Sequence, residues 1–246
     1  MPPVRLDQLL VDRGLFESRE KARRAVMAGL VEVAGRRSDK PGTPVALDAV
    51  LRVLAPAEPF VSRAGRKLAA ALDHFALDPA GLACLDVGAS TGGFTDCLLQ
   101  RGARAVVALD VGHGLIDARL RSDPRVRVIE RANARHLAAD AFPSPFDLVA
   151  VDVSFISLLQ VVPALVTHVV VGGRLLALVK PQFEVGRGRV GKGGIVRDEA
   201  LRAQVIAERA RQLAALGFDL VGTFDSPVAG SEGNREAFAL LVRSAA

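Results

Sequence analysis

The sequence predicts an α/β protein in which a mostly parallel, seven-stranded sheet follows a small α+β module. From Val61 onward, short apolar runs alternate with helical patterns, which is typical of a parallel sheet covered by helices. The last two apolar runs are joined by a polar loop too short for a crossover helix, so we expect them to pair antiparallel. Before Val61, two short helical patterns are followed by brief strands, which indicates a separate compact module.

The N-terminal module contains two predicted helices and at least two predicted strands. The first helix, with leucines at helical spacing, ends at Gly14. The second helix runs from its N-cap at Ser18 to Gly29. Short strands are expected at residues 30–33 and 50–54.

Most of the predicted strands of the larger part are followed by a predicted helix. We expect strands at residues 83–87, 105–110, 126–130, 146–151, 174–179, 220–224 and 237–242, and helices at 95–101, 117–120, 158–168 and 198–216. A sheet of this kind, with one antiparallel strand near its end, is the layout of Rossmann-like class I methyltransferases. The segment Pro56–Pro59 has the composition of a linker, so the predicted domains are residues 1–59 and 60–246.

The composition favours a protein with a polyanionic partner and argues against disulfide-bonded, zinc-binding and membrane-spanning proteins. A net charge of +5 and a pI of about 9.8 suit a polyanionic partner, and residues 19–24 carry four positive charges against one negative. Cys84 and Cys97 are too few for a disulfide framework and wrongly spaced for zinc, so we expect buried thiols in a reducing, cytoplasmic compartment and no metal site. The N-terminus lacks the apolar core of a signal peptide. Glycines, a proline and an arginine interrupt the longest apolar stretch, 158–179, so no membrane span is predicted.

A glycine-rich turn at residues 84–94 predicts a ligand site at the carboxyl edge of the sheet. The turn does not match a dinucleotide fingerprint, because Ser90 stands where the second glycine is needed. It is not a phosphate-binding P-loop either, because Phe94 replaces the lysine. The loop therefore favours an uncharged or cationic part of a ligand. The predicted cofactor-binding residues are Asp86, Gly88, Ser90, Thr91, Gly92, Gly93, Phe94, Asp110, Asn133 and Asp152.

We expect three polar residues at strand ends to contact particular groups of the ligand. Asp110 is placed to accept hydrogen bonds from two ribose hydroxyls, Asn133 to bond an adenine edge, and Asp86 to attract an ammonium group. The alternative is that these side chains merely cap the helices that follow them.

Four charged residues from distant segments are expected to meet at the same edge. Asp152 and Lys180 each follow an apolar run that predicts a buried strand, Lys67 precedes the first strand, and Glu236 opens the last. Two lysines and two carboxylates suit the removal of a proton from a weakly acidic hydroxyl. We expect Lys180 to be the base or polarising residue and Lys67 to stabilise the alkoxide, with Asp152 and Glu236 orienting them.

These motifs resemble those of a known family. Residues 5–42 are similar to an S4-type RNA-binding domain, and residues 61–68, 85–103, 151–158 and 178–196 are similar to the catalytic half of the TlyA ribosomal RNA 2′-O-methyltransferases, a family historically named haemolysins. That half also resembles FtsJ-type enzymes, whose lysine–aspartate–lysine–glutamate tetrad falls on the four residues above. The resemblance implies S-adenosylmethionine as cofactor and a cytidine ribose of ribosomal RNA, in a subunit or particle, as substrate. One departure is that the chain has Phe60 where family members carry a linker tryptophan.

The predicted RNA contacts are mainly basic residues, with two phenylalanines that could stack on a flipped nucleotide. They are Arg5, Arg19, Lys21, Arg23, Arg24, Arg36, Lys40, Arg63, Arg66, Phe155, Phe183, Arg187, Arg189 and Lys192. Core packing is the alternative role for the two phenylalanines. We expect a monomer that does not engage membranes. The competing functions are a catalytically inactive RNA-binding assembly factor, a membrane-active haemolysin and a small-molecule methyltransferase.

Overall fold

The protein consists of two compact units in a computed structural model. The units are Met1–Glu58 and Pro59–Ala246, and each is described by itself. The structure describes residues 3–27, 29–54, 59–186, 189–191, 193–230 and 233–245. Of the predicted linker, only Pro59 lies within the described residues.

The first unit contains two helices and five short strands. They are β1 (Val4–Arg5), α1 (Leu6–Asp12), α2 (Arg19–Met27), β2 (Val31–Val33), β3 (Arg36–Ser38), β4 (Pro44–Val45) and β5 (Leu51–Val53). β1 pairs with β4, and β2 lies between β3 and β5, all antiparallel. The predicted helices and the strands at β2 and β5 are present. β1, β3 and β4 were not predicted, because none of them has the apolar residues on both sides of a polar one that mark β2 and β5.

A small hydrophobic core holds this unit together. The leucines of α1, whose spacing predicted the helix, are buried against Ala22 and Val26 of α2 and against Val31 of β2. Burial of one face leaves the opposite face of α2, with its basic residues, in solvent.

The second unit is a seven-stranded sheet with helices on both faces. Its elements are α3 (Arg63–His74), β6 (Ala83–Val87), α4 (Gly93–Gln100), β7 (Ala105–Leu109), α5 (Ala118–Arg121), β8 (Val126–Ile129), β9 (Phe146–Val151), α6 (Leu158–Leu165), β10 (Val169–Val179), α7 (Pro181–Glu184), α8 (Glu199–Ala214), β11 (Phe218–Asp225) and β12 (Ala237–Arg243). The strand order is β11-β12-β10-β9-β6-β7-β8. Only the pairings of β12 with its neighbours are antiparallel, so the predicted fold class and the antiparallel final pair are confirmed.

The order of strands fixes where a ligand site can form. The chain enters the sheet at β6, builds outward through β7 and β8, then returns to β9 on the other side of β6. The helices that follow β6 and β9 therefore leave opposite sides of a crevice at the carboxyl ends of these strands. Such a reversal point is where open α/β sheets bind ligands.

Hydrophobic side chains fill both faces of the sheet. On one face α6 and α8 cover the sheet, and on the other α3 and α4 cover it. Cys84 and Cys97 are buried in the second of these layers, and burial raises the pKa of both thiols to about 12, so they remain protonated. Among the described residues, no helix is long and apolar enough to cross a membrane.

Three element assignments differ from the sequence prediction. α3 was missed, because Arg63, Arg66 and Lys67 obscure its apolar face, yet Leu68 and Leu72 are fully buried. The one-turn helix α7 is too short to leave a periodic signal. The strand expected at 174–179 begins earlier, at Val169, with an irregularity in its register before Arg174.

Gly93 allows α4 to pack closely against the start of α3. A Cβ atom at this position would lie 2.2 Å from Ser62 Oγ, 2.9 Å from Ala64 Cβ and 3.0 Å from Gly65 N. In an exposed helix, glycine to alanine is stabilising by about 1 kcal/mol. Here the overlap outweighs that gain.

We therefore expect Gly93→Ala to lower the free energy of unfolding by about 1–3 kcal/mol, the usual cost of overpacking. Thermal unfolding followed by far-UV circular dichroism measures the effect, since the chain has no Trp or Tyr. Glu208→Ala, at an exposed position of α8, is the matched control and should change stability by less than about 0.5 kcal/mol. Equal melting temperatures for Gly93→Ala and the control would contradict this packing role.

Candidate active site

Lys180 and Asp152 meet where two adjacent strands end. Asp152 follows β9, Lys180 follows β10, and the two strands are parallel neighbours. Lys180 Nζ lies 2.6 Å from Asp152 Oδ1 and donates a hydrogen bond of 2.7 Å to Ser154 Oγ. The contact with Asp152 Oδ1 is an ion pair without hydrogen-bond geometry, so this buried oxygen has no hydrogen-bond partner among the described residues.

A second lysine–carboxylate pair comes from parts of the chain far apart in sequence. Lys67, on α3, donates a hydrogen bond of 2.6 Å to Glu236 Oε2, just before β12. Both side chains are almost fully buried, with 10 % and 3 % of their surfaces exposed. Burying an ion pair removes both charges from water, so the pair is held only because the surrounding fold fixes it.

Three of the four residues of these ion pairs line one pocket, and the fourth, Asp152, lines the pocket next to it. Lys67, Lys180 and Glu236 line a cavity of about 370 Å³ together with Ser62 and Arg63. A smaller adjoining cavity of about 170 Å³ is lined by Asp152 and Lys180. The structure thus brings together all four residues that the sequence placed in a catalytic group.

A larger cavity, of about 460 Å³, lies beside them at the ends of β6, β7 and β9. Its volume is within the range of small-molecule sites. Five of the residues predicted to bind a cofactor line it, namely Gly88, Ser90, Asp110, Asn133 and Asp152. Ser90 and Ser154 line this cavity and also the 370 Å³ cavity, so the two are neighbours.

Asp110 organises two loops at the rim of the larger cavity. Its Oδ2 accepts a hydrogen bond of 2.8 Å from Ser90 N, and its Oδ1 accepts one of 2.6 Å from Gly112 N. Each carboxylate oxygen has a further lone pair, so Asp110 can still accept hydrogen bonds from a ligand. Asn133 uses its side-chain oxygen to cap a short 3₁₀ turn by accepting from Arg135 N, which leaves its amide nitrogen as a donor. The capping role is therefore observed for Asn133, and both side chains keep hydrogen-bonding groups that face the cavity.

Apolar side chains complete this cavity. Val111 and Leu115 line it although they are 71 % and 49 % exposed. Glu130 fixes the loop that carries them by accepting hydrogen bonds from Gly114 N and Arg121. The bond from Arg121 is the main reason that the pKa of Glu130 falls to about 2. Exposed apolar walls of this kind suit a flat heteroaromatic ring.

Gly88 lines both the larger cavity and the 170 Å³ cavity. Its φ is +85°, and a Cβ atom would lie 2.3 Å from the carbonyl oxygen of Asp152. Only glycine allows the loop after β6 to approach the end of β9 this closely.

Five of the residues predicted to bind a cofactor do not line the larger cavity. Asp86 is fully buried, and its Oδ2 accepts hydrogen bonds from Thr95 N (2.9 Å) and Thr95 Oγ1 (2.7 Å), so it fixes the start of α4. Gly92 and Gly93 are buried in helix packing. Phe94 is buried and reaches only the 170 Å³ cavity, which Thr91 also lines.

Ser154 was missed from the sequence. It lies two residues after Asp152 and accepts the hydrogen bond from Lys180 Nζ. A serine in a polar loop after a strand is too common to stand out, and only the position of Lys180 in space reveals its role. Gln182 and Ser62, which line the 370 Å³ cavity, were missed for the same reason.

Phe155 is not a core residue. It is 88 % exposed, has a φ of +64°, and lines both large cavities. Its ring lies 5.0 Å from that of Phe183, which is partly buried. A non-glycine residue held in left-handed backbone is strained, and such strain is concentrated at functional positions.

The predicted RNA-binding residues of the first unit are all exposed, and most form ion pairs within it. Arg5 and Arg19 both contact the buried carboxylate of Asp7, at 3.0 and 3.2 Å. Lys21 pairs with Glu17 and Arg24 with Glu20, one helical turn away in each case. The remaining predicted residues of this unit, also in solvent, are Arg23, Arg36 and Lys40.

In the second unit, Arg63 lines the 370 Å³ cavity, and Arg66 and Arg189 are exposed. Arg187 and Lys192 lie outside the described residues.

Comparison with known proteins decides the family. Residues 60–243 match the FtsJ-like methyltransferase model, and residues 4–51 match the S4 domain model. Over 97 % of its length the chain is 49 % identical to the 16S/23S rRNA (cytidine-2′-O)-methyltransferase TlyA of Mycobacterium tuberculosis, of which it covers 89 %. The chain belongs to the TlyA family. Another relative, Hemolysin A of Brachyspira hyodysenteriae, is 40 % identical over 97 % of the chain and 100 % of that protein.

Solved structures agree with the TlyA assignment. A Streptococcus thermophilus protein that carries a hemolysin name matches with a TM-score of 0.75 and 42 % identity, over 99 % of this chain and 90 % of that one. The 1,6-didemethyltoxoflavin-N1-methyltransferase of Burkholderia thailandensis, with bound S-adenosylhomocysteine, has a TM-score of 0.55 at 20 % identity, over 75 % and 80 % of the two chains. The second match shows the methyltransferase fold alone.

The buried Asp86 gives a testable dependence of stability on pH. Burial, the largest cause, raises the pKa of Asp86 from 3.8 to about 7, and the two bonds from Thr95 oppose this shift. The folded protein therefore binds this proton more tightly than the unfolded chain. The stabilising contribution is complete below about pH 4 and is lost as the pH rises through 7.

We expect Asp86→Asn to remove this dependence, because the amide cannot ionise. Relative to this variant, the wild type should lose about 2 kcal/mol of unfolding free energy between pH 5 and 7. Urea unfolding at a series of pH values measures the difference. Asp140→Asn, at an exposed position, is the control and should follow the wild type. Parallel pH profiles for the wild type and Asp86→Asn would show that Asp86 is ionised throughout.

Proposed function

We propose that this chain transfers the methyl group of S-adenosylmethionine to the 2′-hydroxyl of a cytidine in ribosomal RNA. The observation that carries the proposal is the meeting of Lys67, Asp152, Lys180 and Glu236 beside a cavity of cofactor size. The named activity of the Mycobacterium tuberculosis relative supports the choice of cytidine and ribosomal RNA.

The residues of the larger cavity fit S-adenosylmethionine. Asp110 is placed to accept the ribose hydroxyls, and Val111 and Leu115 to hold the adenine between apolar walls. The buried Asp152 Oδ1, which has no hydrogen-bond donor among the described residues, is an acceptor beside Gly88. When bound, the cofactor supplies an electrophilic methyl group on a positively charged sulfur.

In this proposal the 370 Å³ cavity binds the target nucleotide. Lys180, fixed by Asp152 and Ser154, is positioned to withdraw or polarise the proton of the 2′-hydroxyl. Lys67, paired with Glu236, supplies a fixed positive charge that stabilises the oxygen as it becomes an alkoxide. Phe155 and Phe183 at the rim offer aromatic faces on which an unstacked base can lie.

The first unit supplies RNA affinity in this proposal. Its exposed arginines and lysines suit phosphate contacts, and the S4 match is consistent with that role. The two ion pairs to Asp7 hold the guanidinium groups of Arg5 and Arg19 in fixed directions, so binding phosphate costs little side-chain entropy.

A direct test uses purified protein, methyl-labelled S-adenosylmethionine and ribosomal subunits that lack the modification. Label should enter the RNA, and primer extension at limiting nucleotide should place it on a cytidine ribose. RNA binding without label would favour an assembly factor that has lost catalysis.

We expect Lys180→Ala to reduce turnover by at least about 10²-fold, the usual contribution of a proton-transferring group, while RNA affinity stays within about twofold. Methyl transfer under single-turnover conditions and filter binding measure the two quantities. Arg211→Ala, an exposed change on α8, is the control. Equal losses of binding and turnover in Lys180→Ala would remove Lys180 from the catalytic step.

We also expect the double variant Arg23→Ala, Arg24→Ala to weaken RNA binding and to flatten its salt dependence. The slope of log K against log salt should fall by about 1–2, because fewer counterions are released. The control is Arg104→Ala, Arg211→Ala, which removes the same charge from exposed sites of the second unit. An unchanged slope in the first variant would contradict the phosphate contacts.

A further inference from the structure

Glu184 is a buried residue that connects α7 with helices α6 and α8. Its side chain is only 2 % exposed, and it lies at the end of α7, the single turn that begins after Lys180. Glu184 Oε2 accepts a hydrogen bond of 2.6 Å from Ser157 Oγ, and Oε1 accepts one of 2.8 Å from Leu158 N. The carboxylate therefore binds the first turn of α6, where helical N–H groups favour a negative charge.

Arg209 supplies the compensating charge. Its Nε lies 2.8 Å from Glu184 Oε2, it is 12 % exposed, and it belongs to α8. Arg209 also donates to the backbone carbonyl of Glu184, at 3.4 Å, and to Gln212 Oε1, at 2.6 Å. Glu184 is therefore held by both α6 and α8.

The contacts of Lys180 and Glu184 join the segment after β9 to the segment after β10 at two points. The segment after β9 contains Asp152 and Ser154, which contact Lys180, and ends at Ser157, which contacts Glu184. The segment after β10 runs from Lys180 to Glu184 in one turn, with Phe183 N donating to the Lys180 carbonyl. A shift at the Glu184 end must therefore move Lys180 relative to Asp152 and Ser154.

We propose that Glu184, held by Arg209, is a positioning residue that sets the distance between Lys180 and Asp152. Neither Glu184 nor Arg209 lines the described cavities, so they act through Lys180 and not on a substrate. The inference rests on the proposed methyl transfer, because a rate is needed to detect the displacement. Errors of about 1 Å in a catalytic group cost up to about 10²-fold in rate.

The main test is Glu184→Gln in the full chain. Glutamine keeps an oxygen for Leu158 N but loses the charge that Arg209 holds. We expect the single-turnover rate at saturating RNA and cofactor to fall about 10- to 100-fold. The Kd values for RNA and S-adenosylmethionine should change by less than about threefold, because the binding groups are untouched.

The matched control is Asp225→Asn. Asp225, which is 52 % exposed, also pairs with a buried arginine of α8, Arg202, and with Arg235, and among the described residues it has no hydrogen bond or ion pair with residues 152–157 or 180–184. Its loss should lower the melting temperature without changing the single-turnover rate. Arg209→Lys, which keeps the positive charge, should retain more activity than Arg209→Met.

Each outcome decides a separate question. A Glu184→Gln rate equal to that of the wild type, or a fall matched by Asp225→Asn, overturns the positioning role. If Glu184→Gln does not fold, Ser157→Ala decides, with a rate loss of threefold or more expected and an unchanged rate overturning the role. Failure of the wild type itself to label RNA contradicts the proposed function and leaves the geometry around Glu184 as described.

Discussion

Two buried lysine–carboxylate pairs are the constraint around which the second unit is arranged. Lys67–Glu236 and Lys180–Asp152 each hold opposite charges 2.6 Å apart with little access to water. Removing such charges from water is costly, and a fold built for stability alone has no need of them. The sheet tolerates them because its carboxyl edge opens into cavities, where a substrate can use the charges.

The position of the reversal in strand order explains why two cavities adjoin. β6 contributes the turn with Gly88, and β9 contributes Asp152 and Ser154, on the two sides of the crevice. Asp152 lines the larger cavity. Its Oδ1 lies 2.6 Å from Nζ of Lys180, which follows β10 and lines the 370 Å³ cavity. Under the proposed function, this one aspartate connects the cavity for the methyl donor with the cavity for its acceptor.

Much of this arrangement could be predicted from the sequence. Long apolar runs in the sequence predicted strands within β9 and β10. The charged residue directly after each run, Asp152 or Lys180, was therefore predicted to lie at the carboxyl edge of the sheet. Asp86 was expected to attract an ammonium group, but its Oδ2 accepts two hydrogen bonds from Thr95, and a strand-end aspartate gives no sign in the sequence of whether it faces a ligand or the following helix. Helix α3 and the positions of Ser154 and Glu184 depend on contacts between remote segments, which no local pattern records.

The bonds from Ser90 N and Gly112 N to Asp110 have a kinetic implication. They tie two loops of the larger cavity together through hydrogen bonds within the protein itself. A preassembled site loses little conformational entropy when it is filled. Under the proposed function, the cofactor therefore meets loops that the protein already holds in place, and no rearrangement of these two loops slows its association.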